Sequence, residues 1–123
     1  MDSRQYQFSS HVRAFSDLLI YLRQAVGHDL DNVLILSVIA ERYYARLWAE
    51  IGDDSQSHQI NTFSVSQCTA IPRETVRRKV AILIKKGWVV ADKRGNLSPT
   101  AKAVEDLQQC TEMTSMYLQR VTV

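Results

Sequence analysis

The stretch from Ile71 to Thr100, IPRETVRRKVAILIKKGWVVADKRGNLSPT, restricts the fold most, because it joins a two-faced helix directly to a hairpin. Val76, Val80, Leu83 and Ile84 stand at i, i+4, i+7 and i+8, the spacing of one apolar helical stripe. Arg73, Arg77, Arg78, Lys85 and Lys86 flank that stripe or point away from it, which leaves a basic outer face. The helix is expected over residues 72–87, with Pro72 in its first turn and Gly87 as a left-handed stop. Trp88, Val89 and Val90 are strand-forming. Lys93-Arg94-Gly95-Asn96 has turn composition and two positive charges, and Leu97-Ser98 begins a return strand that Pro99 ends.

Just upstream, Thr62 to Thr69 (TFSVSQCT) is expected to be a short helix capped by Asn61 or Thr62, and Ala70-Ile71 a brief connection into Pro72. Two helices joined this tightly form a helix-turn-helix pattern. In the first of them Val65, with Cys68 or Thr69, is expected to face the core, leaving Ser64 and Gln67 outward.

IPRETVRRKV, KKGWV, the RGN turn and LSPTA together resemble the winged helix-turn-helix of bacterial transcription regulators, most of all the MarR class, over about forty residues. In that class a Leu-Ser-Pro or Leu-Thr-Pro step ends the wing and opens a long C-terminal helix, and Leu97-Ser98-Pro99-Thr100 matches it, though the wing is shorter than usual. The resemblance implies a mainly α fold with a small β-hairpin wing, a strand edge contributed by residues 60–63, and N- and C-terminal dimerisation helices.

On that reading the helix at 72–87 carries base recognition. Arg73, Arg77 and Arg78 are the candidates, since a guanidinium can donate a bidentate pair to guanine O6 and N7. Glu74 either accepts from a cytosine amino group or holds Arg78, its i+4 neighbour, and the ion pair is slightly favoured. Thr75 offers a hydroxyl to phosphate or a methyl to thymine, while Lys79 lies on the flank and Lys85 and Lys86 are too far along to reach bases. Ser64 and Gln67 suit phosphates, and Lys93 and Arg94 suit the DNA backbone or the adjacent minor groove.

Charge distribution agrees with this assignment. Residues 72–102 hold nine Lys/Arg against Glu74 and Asp92, a balance of +7, whereas residues 1–71 carry −3 and residues 103–123 carry −2. Such segregation is expected where one element meets a polyanion. A solvated but idle basic face is the plainer alternative.

The rest of the chain reads as support. At 123 residues with 46% apolar side chains it is expected to be a single globular domain. A first helix, about 8–27, is expected from Ser9 or Ser10 to Gly27, with Val12, Phe15, Leu18, Leu19, Leu22 and Val26 along one broad apolar side suited to a second subunit. The DNA-binding core, 29–99, is expected to open with a long, largely buried helix capped by Asp29 or Asp31 and running to about Ile51. On it Tyr43, Tyr44 and Trp48 are placed to line a pocket for an aromatic small-molecule effector, as the resemblance allows, although aromatics at this spacing are more often core or dimer interface. Residues 52–59 read as a loop. A C-terminal helix over 100–121, capped by Thr100, carries Ala101, Val104, Leu107, Thr111, Tyr117, Leu118 and Val121. At that length it spans about 30 Å, more than so small a domain covers, so a homodimer reading an inverted repeat of double-stranded DNA is expected.

No run approaches the length of a membrane span and Met-Asp-Ser-Arg-Gln has no signal-peptide core, so a cytoplasmic protein without a membrane partner is expected. His11, His28 and His58 lack metal-ligand spacing, and no P-loop, dinucleotide fingerprint or nucleophile elbow is present. No catalytic residue, metal or cofactor is expected. Cys68 within the helix-turn-helix invites a redox role, though buried cysteine is commonly a small apolar residue and no resolving thiol stands nearby in sequence. A sequence-specific transcription regulator, acting as a repressor, is thus set against a winged-helix protein-interaction or low-specificity architectural module.

Overall fold

The computed structural model describes residues 2–49 and 59–122. The first helix, α1 (Ser3–Ala25), starts earlier than Ser9 or Ser10 because Asp2 builds a capping box. Its carboxylate accepts from Arg4 N (3.2 Å) and its own N–H donates to the Gln5 side chain (3.4 Å), so two otherwise orphaned N–H groups are satisfied and Arg4 to Phe8 join the helix. The next helix, α2 (Leu30–Ala49), buries Asn32, Ile35, Leu36 and Ile39. Burial stops there. Tyr44, Leu47 and Trp48 are exposed, so only the N-terminal half of this helix is a core element. Ile51, most of the expected loop and His58 lie outside the described residues.

Helix α3 (Thr62–Thr69) is capped by Asn61, whose side chain accepts from Ser64 N at 2.9 Å. That cap displaces the strand expected over residues 60–63. Ile60 still offers its carbonyl to Leu97 N at 2.8 Å, one backbone bond in place of a ladder. Ala70 then takes a left-handed conformation (φ 62°, ψ 12°) that turns the chain into Pro72 and α4 (Arg73–Lys85). Ser66 Oγ donates to Ile71 O (2.6 Å), and Ile71 N donates to Thr69 Oγ1 (3.2 Å), so side chains supply the bonds this tight connection cannot make to itself.

Helix α4 buries Val76, Val80 and Leu83, three of its four predicted apolar positions. Ile84, at the edge of the stripe, stays 40% exposed. Gly87 (φ 83°) ends the turn beneath the Lys102 methylenes, which approach within 3.0 Å of where a β-carbon would sit. Strands β1 (Val89–Ala91) and β2 (Leu97–Pro99) pair antiparallel, Val89 opposite Pro99 and Ala91 opposite Leu97. Thr100 caps the next helix as expected, accepting from Ala103 N (3.1 Å) while donating to Gly87 O (2.6 Å).

The C-terminal helix is not continuous. Leu107 (φ −106°, ψ 20°) separates α5 (Ala101–Asp106) from α6 (Gln108–Val121), and its carbonyl accepts from Cys110 N and Thr111 N to start the second helix afresh. No glycine or proline marks this break; it coincides with the border between two compact units, Met1–Leu30 with Asp106–Val123, and Asp31–Glu105.

In the first unit α1 and α6 pack together around buried Ala14, with His11, Phe15 and Tyr117 forming a ring cluster at centroid separations of 5.9–6.0 Å. His11 Nε2 and the Tyr117 hydroxyl share a 2.7 Å hydrogen bond, and Arg120 Nη1 lies 3.3 Å from Asp17 Oδ2. Two helices cannot enclose all their apolar groups. Tyr6, Phe8, Val12, Phe15 and Ile20 of α1 and Met116, Leu118 and Val121 of α6 remain exposed. In the second unit Ile35, Ile39, Val65, Val76 and Leu83 are fully buried, each contributing about 1.5–3 kcal/mol on leaving water.

Ala70 gives this connection a sharp test. A β-carbon in the left-handed region costs about 1–2 kcal/mol, and glycine gives back roughly 0.4–1 kcal/mol through the freer unfolded chain. Ala70→Gly is expected to gain about 0.5–1 kcal/mol in urea denaturation; a loss would contradict the left-handed turn.

Candidate nucleic-acid interface

With Val76, Val80 and Leu83 turned inward, helical geometry sends Glu74, Arg78 and Lys85 to the opposite side. All three are exposed, as are Arg73 and Arg77, which stand on the flank beside the start of α3. Thr75 and Lys79 occupy the other flank, half-buried. Apolar burial thus fixes the roll of α4, and the same roll presents its arginines.

The arginines are not equivalent. Glu74 pairs with Arg77 rather than with Arg78: its two carboxylate oxygens accept from Arg77 Nε at 3.1 and 3.0 Å, and Oε1 also accepts from Nη2. The i+3 partner wins because its fork meets the carboxylate side-on, while Arg78 contributes by charge from one turn further on. This contact holds the Glu74 carboxyl below its ordinary range and the Arg77 guanidinium above its own. Arg73 is placed differently, with its guanidinium carbon 5.3 Å from the centroid of the half-exposed Phe63 ring on α3. Thr62, Arg73, Glu74 and Arg77 line an open notch of about 490 Å³.

The turn between the strands is built on Asp92. Its Oδ1 accepts from Arg94 N (2.8 Å) and Asn96 N (2.9 Å), its Oδ2 from Asn96 Nδ2 (3.3 Å), and Gly95 (φ 84°) bonds back to its carbonyl. Asn96 Nδ2 also reaches the Gln59 side chain at 3.3 Å. Lys93 and Arg94 are left exposed at the tip. The Asp92 carboxylate bonds the backbone, and the Arg94 guanidinium acts on it by charge alone.

Other candidate positions separate on inspection. Ser64 is half-buried, and its hydroxyl donates to Asn61 Oδ1 at 2.9 Å, a bond it would exchange on meeting a phosphate while its backbone N–H keeps the cap; Gln67 is exposed. Cys68 does not face the core. It is exposed, and Arg42 Nη2 of α2 lies 3.5 Å from its sulfur. Cys110, in the other unit, is half-buried, and burial pushes its thiol up. Lys86 lies over the Trp88 ring at 4.8 Å, a packing role that spacing alone does not reveal. Tyr44 and Trp48 are exposed and Tyr43 half-buried, with Tyr43 and Tyr44 edge-on at 5.5 Å. None of the three lines the notch beside α4 or the open cavity of about 840 Å³ bordered by Arg4, Tyr6, His11 and Arg120 in the first unit. Phe63 does not stand out in the sequence as a site residue, since an aromatic at the start of an amphipathic helix looks like core.

Among the described residues no three His, Cys, Asp or Glu are grouped to hold a metal ion, and no helix is long and apolar enough to cross a membrane. Comparison with known protein families, with curated proteins and with solved structures finds no match.

The Asp92 turn makes a pH prediction. Its carboxyl is held below the usual carboxylate range, first of all by the Asn96 N–H, against an opposing effect of burial, with the Arg94 N–H, the Asn96 side chain and the Arg94 charge adding to the lowering. A depressed carboxyl favours the fold while ionised, so its contribution is complete above the ordinary carboxylate range and vanishes as acid protonates the folded form. Asp92→Asn is therefore expected to be less stable than the parent at pH 7, with the gap closing below about pH 4 in parallel thermal melts. A gap unchanged from pH 7 to pH 3 would show that the charge does not matter.

Proposed function

We propose that this protein is a sequence-specific, double-stranded-DNA-binding transcription regulator of the winged helix-turn-helix kind, similar to the MarR class. In this reading α3 and α4 form the helix-turn-helix, α4 is the recognition helix, and the β1–β2 hairpin is the wing. The observation that carries it is the division of labour on α4: one side is committed to the core by Val76, Val80 and Leu83, and the other is exposed and basic. Nine Lys/Arg against two acidic residues over 72–102 give that region a charge that a polyanion would stabilise by releasing counterions.

Arg78, on the outermost line of α4, is the principal base reader, and Arg73 is a second one on the flank that faces α3. Arg77 is held by Glu74 and contributes through the pair. Thr75, Ser64 and Gln67 serve the phosphates, and Lys93 and Arg94 of the wing follow the backbone or enter the minor groove. The protein acts as a cytoplasmic, non-enzymatic homodimer and represses by occupying its operator. The exposed apolar side chains of α1 and α6 support the dimer, since a second copy offers the same surface in return. Two recognition helices about 34 Å apart would then meet successive major grooves. Tyr43, Tyr44 and Trp48 remain the candidate effector contacts.

Selection from random duplex DNA at about 150 mM salt, repeated with Arg78→Ala, tests the reading. Recovery of an inverted repeat is expected, with preference relaxed at one symmetric pair of positions in the variant and affinity there lowered by roughly tenfold or more. Motif-free recovery, equally weak in both proteins and steeply lost with salt, would favour the architectural or protein-interaction module instead.

A further inference from the structure

We propose that Arg73 and Phe63 act together as a reader of one base step in the major groove: a guanine next to a pyrimidine that carries a 5-methyl group, thymine or 5-methylcytosine. The inference rests on the DNA-binding reading above and assigns two of its side chains a specificity. Arg73 opens α4 and is exposed, as is the Phe63 ring beneath its guanidinium, whose carbon is 5.3 Å from the ring centroid. An arginine stacked on an aromatic face loses rotational freedom but keeps its N–H edges, which point outward in the plane of the fork. That plane suits the O6 and N7 acceptors of guanine.

Phe63 is then left with a half-exposed apolar edge beside the base that Arg73 engages. The apolar feature of the major groove is the pyrimidine 5-methyl group, which uracil and unmodified cytosine lack. With its centroid 5.3 Å from the guanidinium carbon, the Phe63 ring would lie within reach of a methyl on the pair adjoining that guanine. The neighbouring notch of about 490 Å³, lined by Thr62, Arg73, Glu74 and Arg77, leaves this approach open. Arg77 cannot take the same role without leaving Glu74, which accepts from its Nε at 3.0–3.1 Å.

The test uses the full-length protein and the site recovered by selection, with affinities read by fluorescence anisotropy. The guanine read by Arg73 is the one whose preference disappears in Arg73→Ala. Replacing it by 7-deazaguanine, which lacks N7, is expected to weaken the parent roughly tenfold. Changing a neighbouring thymine to uracil removes one methyl and is expected to weaken the parent about fourfold, while leaving Phe63→Ala unaffected. Duplexes carrying 5-methylcytosine or cytosine at that position distinguish the two methyl sources, the methylated base binding tighter in each case. The thymine-to-uracil comparison is made on the parent protein, so that arm of the test does not depend on a variant folding. Equal affinity for thymine and uracil sites, or a penalty that persists in Phe63→Ala, would overturn the proposal while leaving the regulator reading intact. Failure to bind any duplex specifically would overturn both.

Discussion

Val76, Val80 and Leu83 can leave water on only one side of a thirteen-residue helix, and in the second unit, where α3 packs on α4, all three are buried, as are Ile35, Ile39 and Val65. With each such side chain contributing about 1.5–3 kcal/mol, rolling α4 by even a quarter turn would cost more than any surface ion pair on it returns. The orientation of the basic face is therefore inherited from the core. The connection through Ala70 and the Thr69 and Ser66 hydroxyls then sets where α4 begins, and so where Arg73 meets Phe63. Downstream, Thr100 ties the end of the hairpin to Gly87 by one hydroxyl and caps α5 with the same oxygen.

Concentrated positive charge is an electrostatic burden for the folded chain. On α4 Glu74 takes up Arg77, and in the hairpin the Asp92 carboxylate bonds backbone N–H groups beside Lys93 and Arg94. Arg78, Lys93 and Arg94 stay exposed. Side chains that share one sign and sit on a helix and turn fixed by the core are what support a polyanionic partner in this account.

Much of this was legible in the sequence, because it depends on periodicity and turn chemistry. The spacing of Val76, Val80 and Leu83, the Asn61 cap, the Lys93–Asn96 turn and the Thr100 cap are local signals, and each element formed close to its expected place, although the part of Asp92 in anchoring the turn was not read. What spacing could not decide was partner choice and tertiary cover. Glu74 had cationic neighbours at i+3 and i+4, and the fork geometry of Arg77 settled it. Cys68 looked like core because its type is usually buried, and Phe63 was expected on a strand edge, yet both are exposed on a short α3 that needs only Val65 inward. The stop at Leu107 carries no glycine or proline, and the early start of α1 depended on an aspartate and glutamine that composition does not single out.

Backbone amide shifts followed by NMR as a specific duplex is titrated in would map the surface that meets DNA. If the outer face of α4 and the 92–96 turn form it, the largest changes fall on the start of α3, on the residues of α4 around Arg73 and Arg78, and on Lys93 to Asn96, and they diminish as salt is raised. Changes centred on the exposed Tyr44 and Trp48 end of α2, with α4 and the turn silent, would contradict that assignment.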